Sequence, residues 1–154
     1  MSAELVGWLV LRAVYAWMFL YPAMALLRDW SGTVATTSLL FPWKPAWFAV
    51  ASLVLMIVGS IMILVGCYGQ FAAAGLFLFC LGGARVHYRL AANAMRVAVG
   101  SGVTPAPGVD DLRKLAVVGH VTSAEKNFVL AAVALFMTLV GTGPGSLIPS
   151  NPLF

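Results

Sequence analysis

The stretch Leu5–Leu27, LVGWLVLRAVYAWMFLYPAMALL, holds a single charged side chain, Arg12, and is long enough to cross a lipid bilayer as a helix. About 20 apolar residues span the hydrocarbon core in helical form. Three further apolar segments follow at Ala46–Val65, Phe71–Leu90 and Phe128–Val140 with its flanks. Transmembrane strands are shorter and alternate apolar with polar residues, and none of these segments does so. The sequence therefore predicts an all-α, four-helix transmembrane bundle.

The composition of the 154-residue chain agrees with this class. Hydrophobic residues make up 62% and charged residues 9%, and the mean hydropathy is +0.97. Soluble globular domains carry about a quarter charged residues. The net charge of +4 comes from basic residues that border apolar segments, whereas a nucleic-acid-binding face needs them clustered in water. We therefore expect membrane lipids and other transmembrane subunits as partners, and no nucleic acid.

The apolar segments predict one integral membrane domain over residues 1–154. Its helices are expected at about 5–27, 46–65, 71–99 and 123–141, followed by an irregular tail at 142–154 that is rich in glycine and proline. The first apolar run has no basic segment before it and is too long for a signal peptide. We expect the first helix to be permanent.

Two hydrophilic segments connect the predicted helices. The segment 31–44 is expected to be a loop on the membrane surface, because its tryptophans prefer the headgroup level. Before the fourth helix, Asp110 and Asp111 precede Arg113 and Lys114, an order that suits the dipole of a short interfacial helix. The spacing of Thr122-Ser-Ala-Glu125 is that of a capping box, which predicts a new helix start there.

The basic residues also predict an orientation. Seven of the nine lie in the loop between helices one and two or in the segment from Arg89 to Lys126: Arg28, Lys44, Arg89, Arg96, Arg113, Lys114 and Lys126. Cytoplasmic loops carry the excess of Lys and Arg. Both basic loops are therefore expected in the cytoplasm and both termini outside, in the inner (cytoplasmic) membrane of a prokaryote.

Arg12 lies about two turns inside the first helix, where a charge costs about 2.5–3.5 kcal/mol on insertion scales. One interpretation is that its side chain snorkels to the nearer headgroups. The other is a cation that faces the bundle and holds an anionic group of a partner subunit, a lipid, a quinone or a substrate. The apolar cores contain no Asp or Glu, so an internal ion pair would need a residue near a helix end, such as Glu4 or Glu125. This favours an external partner.

Three further arginines, Arg85, Arg89 and Arg96, are spaced by four and seven residues and so share one helical face. At the end of a membrane helix, each basic residue gains about 1 kcal/mol from anionic lipid. Lipid contact and orientation is the first interpretation of this face. A docking face for an acidic soluble partner is the second.

The remaining polar residues give little sign of chemistry. His87 and His120 are the only histidines, and no metal-type cluster of His, Cys, Asp and Glu is visible, so we expect no metal site. His87 could donate to a quinone carbonyl or be a structural residue. Cys67 and Cys80 fit buried apolar positions better than a redox or disulfide role. No serine-nucleophile, P-loop or dinucleotide motif occurs. The sequence predicts no catalysis by the chain alone and no intrinsic cofactor, with quinone or bound lipid as candidates.

The order and spacing of several short motifs resemble the DoxX-like family of small four-helix membrane proteins. The motifs are Leu11-Arg12 followed by Phe19, Gly59 with Leu64-Val65-Gly66, Ala84-Arg85-Val86-His87, and Lys126-Asn127-Phe128 through Gly141-Thr142-Gly143-Pro144-Gly145-Ser146-Leu147. That family includes a membrane subunit of archaeal thiosulfate:quinone oxidoreductase and bacterial members tied to redox complexes. The resemblance places Arg12 and His87 where the family often has polar intramembrane groups. It also implies a basic residue after the helix-one aromatic and an acidic one in helix two, and both are missing here.

The resemblance and these missing residues together predict a small non-catalytic subunit that scaffolds a larger, redox-linked membrane complex. The alternative is a quinone-interacting subunit of an oxidoreductase, in which Arg12 and His87 contact the headgroup. A small solute transporter fits least. Such proteins use discontinuous helix pairs and midplane ion ligands, and neither is visible in this sequence.

Overall fold

The computed structural model describes residues 1–97 and 108–148, and over these ranges it contains five helices and no strand. They are α1 (Ala3–Arg28), α2 (Trp30–Ser38), α3 (Pro45–Val65), α4 (Gly69–Val97) and α5 (Val109–Val140). All except α2 are long and apolar enough to cross a membrane. The predicted all-α architecture with four spanning helices is confirmed.

The segment 31–44 was expected to be a loop, but its first part forms the short helix α2. Asp29 starts this helix, because its carboxylate accepts from the backbone N–H of Gly32 at 3.0 Å. Thr33 then ties α2 to the end of α1, since its hydroxyl lies 2.9 Å from the carbonyl oxygen of Leu26. A side-chain cap and one hydroxyl contact thus turn a polar segment into a helix packed on the bundle.

Helix α3 begins at Pro45, which suits the first turn of a helix because its missing N–H needs no partner there. A π-helical turn at Leu55–Gly59 interrupts its middle. The Leu55 side chain lies on Gly75 of α4, where an added Cβ would be 2.9 Å from Leu55 Cδ1. The helix ends at Gly66, whose φ of 69° is the left-handed conformation that glycine favours. A short turn then leads into α4, which begins at Gly69.

Helices α4 and α5 run antiparallel and form the most extensive helix pair. On α4 the buried positions recur every four residues at Leu76, Cys80 and Ala84, as expected for one face of a helix. Gly83 brings the backbones close, because a Cβ there would lie 2.9 Å from Asn127 Nδ2. Close packing through small residues is typical of membrane helices.

The core of the bundle lies where α1 meets the other spanning helices, around Tyr15 and Phe19. The hydroxyl of Tyr15 donates to the carbonyl oxygen of Leu130 on α5 at 3.2 Å. Many large apolar side chains point outward instead, among them Trp17, Phe71 and Leu78. Outward apolar side chains are the surface that a bilayer or another membrane helix covers.

The sequence predicted a short interfacial helix and then a new helix start at Thr122. Both predictions are wrong, because the two form one helix. Helix α5 runs without a break from Val109, and its first turn carries Asp110 and Asp111. Lys114 Nζ lies 2.7 Å from Asp110 Oδ2, one turn further on. The acids stabilise the start of the whole helix, so no new cap is needed at residue 122. The predicted end of helix three at 99 lies outside the described residues.

Candidate functional site

Arg12 is buried inside the protein, with only 1% of its surface exposed. Its Nη2 donates to the carbonyl oxygen of Pro144 at 3.2 Å, and its Nη1 donates to the hydroxyl of Ser146 at 3.3 Å. A guanidinium enclosed in this way does not snorkel to headgroups. The structure supports one half of the second interpretation, a cation that faces the bundle. The groups that it binds belong to the chain's own C-terminal segment and not to the external anionic partner that the sequence favoured.

This segment, Gly141–Ile148, folds over one end of the bundle, and we call it the tail cap. Its irregular backbone is as the sequence predicted. The amides of Leu147 and Ile148 donate to the carbonyl oxygens of Val65 and Gly66, at 3.1 and 3.0 Å. The tail cap therefore closes on the turn between α3 and α4.

Glycines make the path of the tail cap possible. Gly141, Gly143 and Gly145 have φ values of 94°, 75° and 77°, which side chains rarely adopt. Gly143 also lies directly on the indole of Trp8, where an added Cβ would clash. At Gly145 a Cβ would lie 2.7 Å from Leu5 Cδ1. The glycines are needed both for the backbone conformation and for the close approach to α1.

Ser146 is the centre of the polar contacts around Arg12. Its hydroxyl donates to the carbonyl oxygen of Gly143 at 2.7 Å and lies 3.0 Å from the hydroxyl of Thr142. With its proton directed to Gly143, the Ser146 oxygen is free to accept from Arg12. No carboxylate of residues 1–97 or 108–148 forms an ion pair with Arg12, and its Nε has no hydrogen-bond partner there. Among the described residues, the groups that bind the buried charge are dipoles of the tail cap.

The two histidines contact each other, which no pattern in the sequence indicated. Nδ1 of His87 on α4 lies 3.3 Å from Nδ1 of His120 on α5. At this distance one ring donates its proton and the other accepts it. Within the described ranges, no third His, Cys, Asp or Glu joins them to form a metal-type group. This contact joins α4 and α5, the two helices that form the most extensive pair.

Arg12 and the histidine pair belong to opposite ends of the bundle. Arg12 reaches residues that follow the end of α5 at Val140, whereas His120 lies about 30 Å back along that helix. The backbone of Arg12 lies closer to the histidines than its guanidinium does. Even so, Tyr15, about one turn further along α1, contacts α5 at Leu130, which is still about 15 Å from His120 along that helix. A single quinone headgroup therefore does not contact both Arg12 and His87.

Arg85, Arg89 and Arg96 line two adjoining depressions on α4 that share Arg89 and Ala92, and we call the two together the arginine groove. Its inner part, about 490 Å³, is lined by Leu81, Ala84, Arg85, Tyr88, Arg89, Ala92 and Phe128. Its outer part, about 300 Å³, is lined by Leu39, Arg89, Ala92, Asn93 and Arg96. The predicted common face of Arg85, Arg89 and Arg96 is thus present, and it extends to the end of α2.

No acidic side chain in the part of the chain that the structure describes forms an ion pair with the arginines of the groove. The ion pairs of residues 1–97 and 108–148 join Asp110 and Asp111 to Arg113 and Lys114, and none includes Arg85, Arg89 or Arg96. Arg89 donates to the carbonyl oxygen of Leu39 at the end of α2. The face therefore keeps its positive charge available to a ligand.

Comparison with known proteins gives one significant result. The DoxX family model matches residues 7–89, which is more than half of the chain and includes Arg12, Arg85, His87 and Arg89. No curated protein and no solved structure shows a significant match. The matched region ends before Arg96, α5 and the tail cap. Together with four helices that can span a bilayer, the match shows that this chain is an integral membrane protein of the DoxX family.

Proposed function

We propose that this chain is a small, non-catalytic membrane subunit that scaffolds a larger, redox-linked membrane complex. The observation that carries the proposal is that polar groups inside the bundle form hydrogen bonds with other segments of the same chain. Arg12 binds the tail cap, Tyr15 binds the Leu130 carbonyl, and His87 binds His120. Each of these contacts joins two distant segments of the chain. Such contacts fix the shape of a bundle and leave those groups committed to packing.

The outer surface supports the same proposal. Trp17 and Tyr21 stack on each other on α1, with ring centroids 5.8 Å apart, and both are about two-thirds exposed. Aromatic residues supply large contact areas at protein interfaces. A stacked, outward pair within a spanning helix is a suitable surface for a neighbouring transmembrane helix. The chain brings no intrinsic cofactor to the complex in this proposal.

The proposed location is a prokaryotic cytoplasmic membrane, with the basic loops in the cytoplasm and both termini outside. It rests on the positive-inside rule. The turn at Gly66–Gln70 and the tail cap contain no Lys or Arg, whereas the other end of the bundle holds Arg28, Lys44 and the arginine groove. One end of the molecule is therefore strongly basic and the other is not.

Affinity purification of the tagged chain from native membranes in mild detergent, followed by native mass spectrometry, tests the scaffold. We expect larger subunits in fixed stoichiometry, and no redox-cofactor absorbance or quinone reduction by the chain purified alone. A Trp17→Leu, Tyr21→Leu variant should lose those subunits. A matched pair on α4, Phe71→Leu and Leu78→Ala, removes outward apolar groups elsewhere and should retain them. A chain that purifies without other subunits, or that reduces quinone alone, contradicts the proposal.

A quinone-interacting subunit remains the second candidate, and it now rests on His87 without Arg12. The observation in its favour is that His87 lies on the same helix as the arginine groove, within two residues of Arg85 and Arg89. The scaffold proposal predicts that a His87→Ala variant keeps electron transfer to quinone in the intact complex. Loss of that transfer with assembly unchanged would favour the quinone-interacting subunit.

A further inference from the structure

We infer that the arginine groove is a binding site for one anionic phospholipid, whose phosphate is held by Arg89 and Arg96 in the outer part and whose acyl chain lies along Leu81 and Phe128 of the inner part. This inference concerns a different surface from the scaffold contacts and does not depend on them. It gives Arg85, Arg89 and Arg96 a single ligand in place of a general attraction to the membrane.

The first argument is charge. Arg85 and Arg89 line the inner part of the groove, Arg89 and Arg96 line the outer part, and no acid of the described ranges forms an ion pair with them. The acids nearest in sequence, Asp110 and Asp111, pair with Arg113 and Lys114. Glu125, one turn before Phe128 on α5, forms no ion pair with these arginines in the described ranges. An arginine can hold a phosphate through two parallel hydrogen bonds. The groove therefore complements a phosphate in charge and in donor geometry.

The second argument is the order of polar and apolar residues along the groove. Arg96 lies at one end of it, and Leu81 lies at the other, about 22 Å further along α4. Half of the hydrocarbon core is only about 15 Å thick. When Leu81 and Phe128 lie in hydrocarbon, Arg96 thus lies among the headgroups. A phospholipid has the same order of charge and chain.

The third argument is that part of the site is held in place before a ligand binds. Arg89, the residue shared by both parts of the groove, donates to the Leu39 carbonyl at the end of α2. Helix α2 is in turn tied to α1 through the hydroxyl of Thr33. A guanidinium has five N–H donors, so the others remain for a phosphate. Fixing the side chain in advance reduces the ordering cost of binding.

The inner part also distinguishes a lipid from an acidic soluble protein. Leu81, Tyr88 and Phe128 are 39%, 45% and 48% exposed, and they lie within spanning helices. A soluble partner reaches only the Arg96 end of the groove, and it leaves this apolar part to lipid. A phospholipid covers both parts with one molecule.

The test uses the full chain in neutral detergent, with phosphatidylglycerol or phosphatidylcholine added and binding followed by native mass spectrometry. We expect one phosphatidylglycerol to bind more tightly than phosphatidylcholine. Because each basic residue near anionic lipid is worth about 1 kcal/mol, Arg89→Gln or Arg96→Gln should each weaken binding about fivefold. Arg28→Gln is the matched control: it removes an exposed arginine from the end of α1, outside the groove, and should leave binding unchanged.

A second variant separates the groove from surface charge. Ala92 lines both parts, so Ala92→Phe should block the lipid while all three arginines remain. Thermal unfolding in detergent checks that each variant stays folded. Equal binding of the two lipids, equal losses for Arg28→Gln and Arg89→Gln, or unchanged binding in a folded Ala92→Phe variant would overturn the inference. So would displacement of bound lipid by a polyglutamate peptide, because that result assigns the groove to an acidic protein.

Discussion

Replacing Arg12 with leucine should release the tail cap while leaving the four spanning helices folded. The substitution removes two hydrogen bonds, from Nη2 to Pro144 and from Nη1 to Ser146. It also removes a cation that is 99% buried and has no anionic partner in the described ranges. The helices keep their own apolar contacts. The change should therefore act on the segment that Arg12 holds.

The magnitude follows from these contacts. A hydrogen bond to a charged group contributes about 1.5–3 kcal/mol, so two of them hold the tail cap by at least about 3 kcal/mol. Losing that amount raises the population of the open tail cap about a hundredfold. The free energy of global unfolding should change much less, by about 0–2 kcal/mol, because leucine spares the bundle the several kcal/mol that burying a charge costs.

Hydrogen exchange measured by mass spectrometry in detergent reads this effect directly. The amides of Leu147 and Ile148 donate to the turn between α3 and α4, so they are protected only while the tail cap is closed. Arg12→Leu should speed their exchange about a hundredfold, and Arg28→Leu, at the other end of α1, should not. Unchanged exchange at both amides in Arg12→Leu would refute the reasoning.

A double-mutant cycle with Ser146→Ala tests whether the two side chains act together. Contacting residues show coupling of about 0.5–3 kcal/mol, whereas independent sites add. We expect coupling of at least 1 kcal/mol in the opening free energy, since one hydrogen bond is common to both substitutions. Strict additivity would show that Ser146 does not hold Arg12.

Three further outcomes follow from the structure. Gly143→Ala should destabilise the tail cap by about 2 kcal/mol in thermal unfolding, because its φ of 75° is left-handed and its Cβ would strike Trp8; an unchanged midpoint would contradict this. Gly119→Ala, on α5 with nothing within 4 Å of an added Cβ, should instead stabilise by up to about 1 kcal/mol in the same assay. A reporter fused after Phe154 should be active outside the cytoplasm, and activity confined to the cytoplasm would reverse the proposed orientation.

The spanning helices could be predicted from sequence because their signal is local. Each needs only a long apolar segment, so α1, α3 and α4 lie close to their expected bounds. The start of α5 was misplaced because a capping-box pattern at Thr122 occurs inside a continuous helix, where the backbone amides already have partners. Helix α2 was missed because a contact with α1 stabilises it.

Site residues were recognised more easily than their partners. Arg12 stands out in an apolar helix, but its partners are a carbonyl and a hydroxyl in a glycine-rich segment, which carry no charge signal. The contact between His87 and His120 depends on the register between α4 and α5, which no short pattern reports. The glycines between Gly141 and Gly145 were the one available clue, since their spacing allows a tight, left-handed path.

The contact between Arg12 and the tail cap has a consequence for biosynthesis. A ribosome makes Arg12 134 residues before Ser146, which follows the last of the four spanning helices. Throughout that interval the first helix holds its guanidinium in the bilayer without these acceptors, at a cost of about 2.5–3.5 kcal/mol. The segment that follows α5 then supplies them. Release of the tail cap from the ribosome is thus the step at which the buried guanidinium gains its hydrogen bonds and the tail-cap end of the bundle closes.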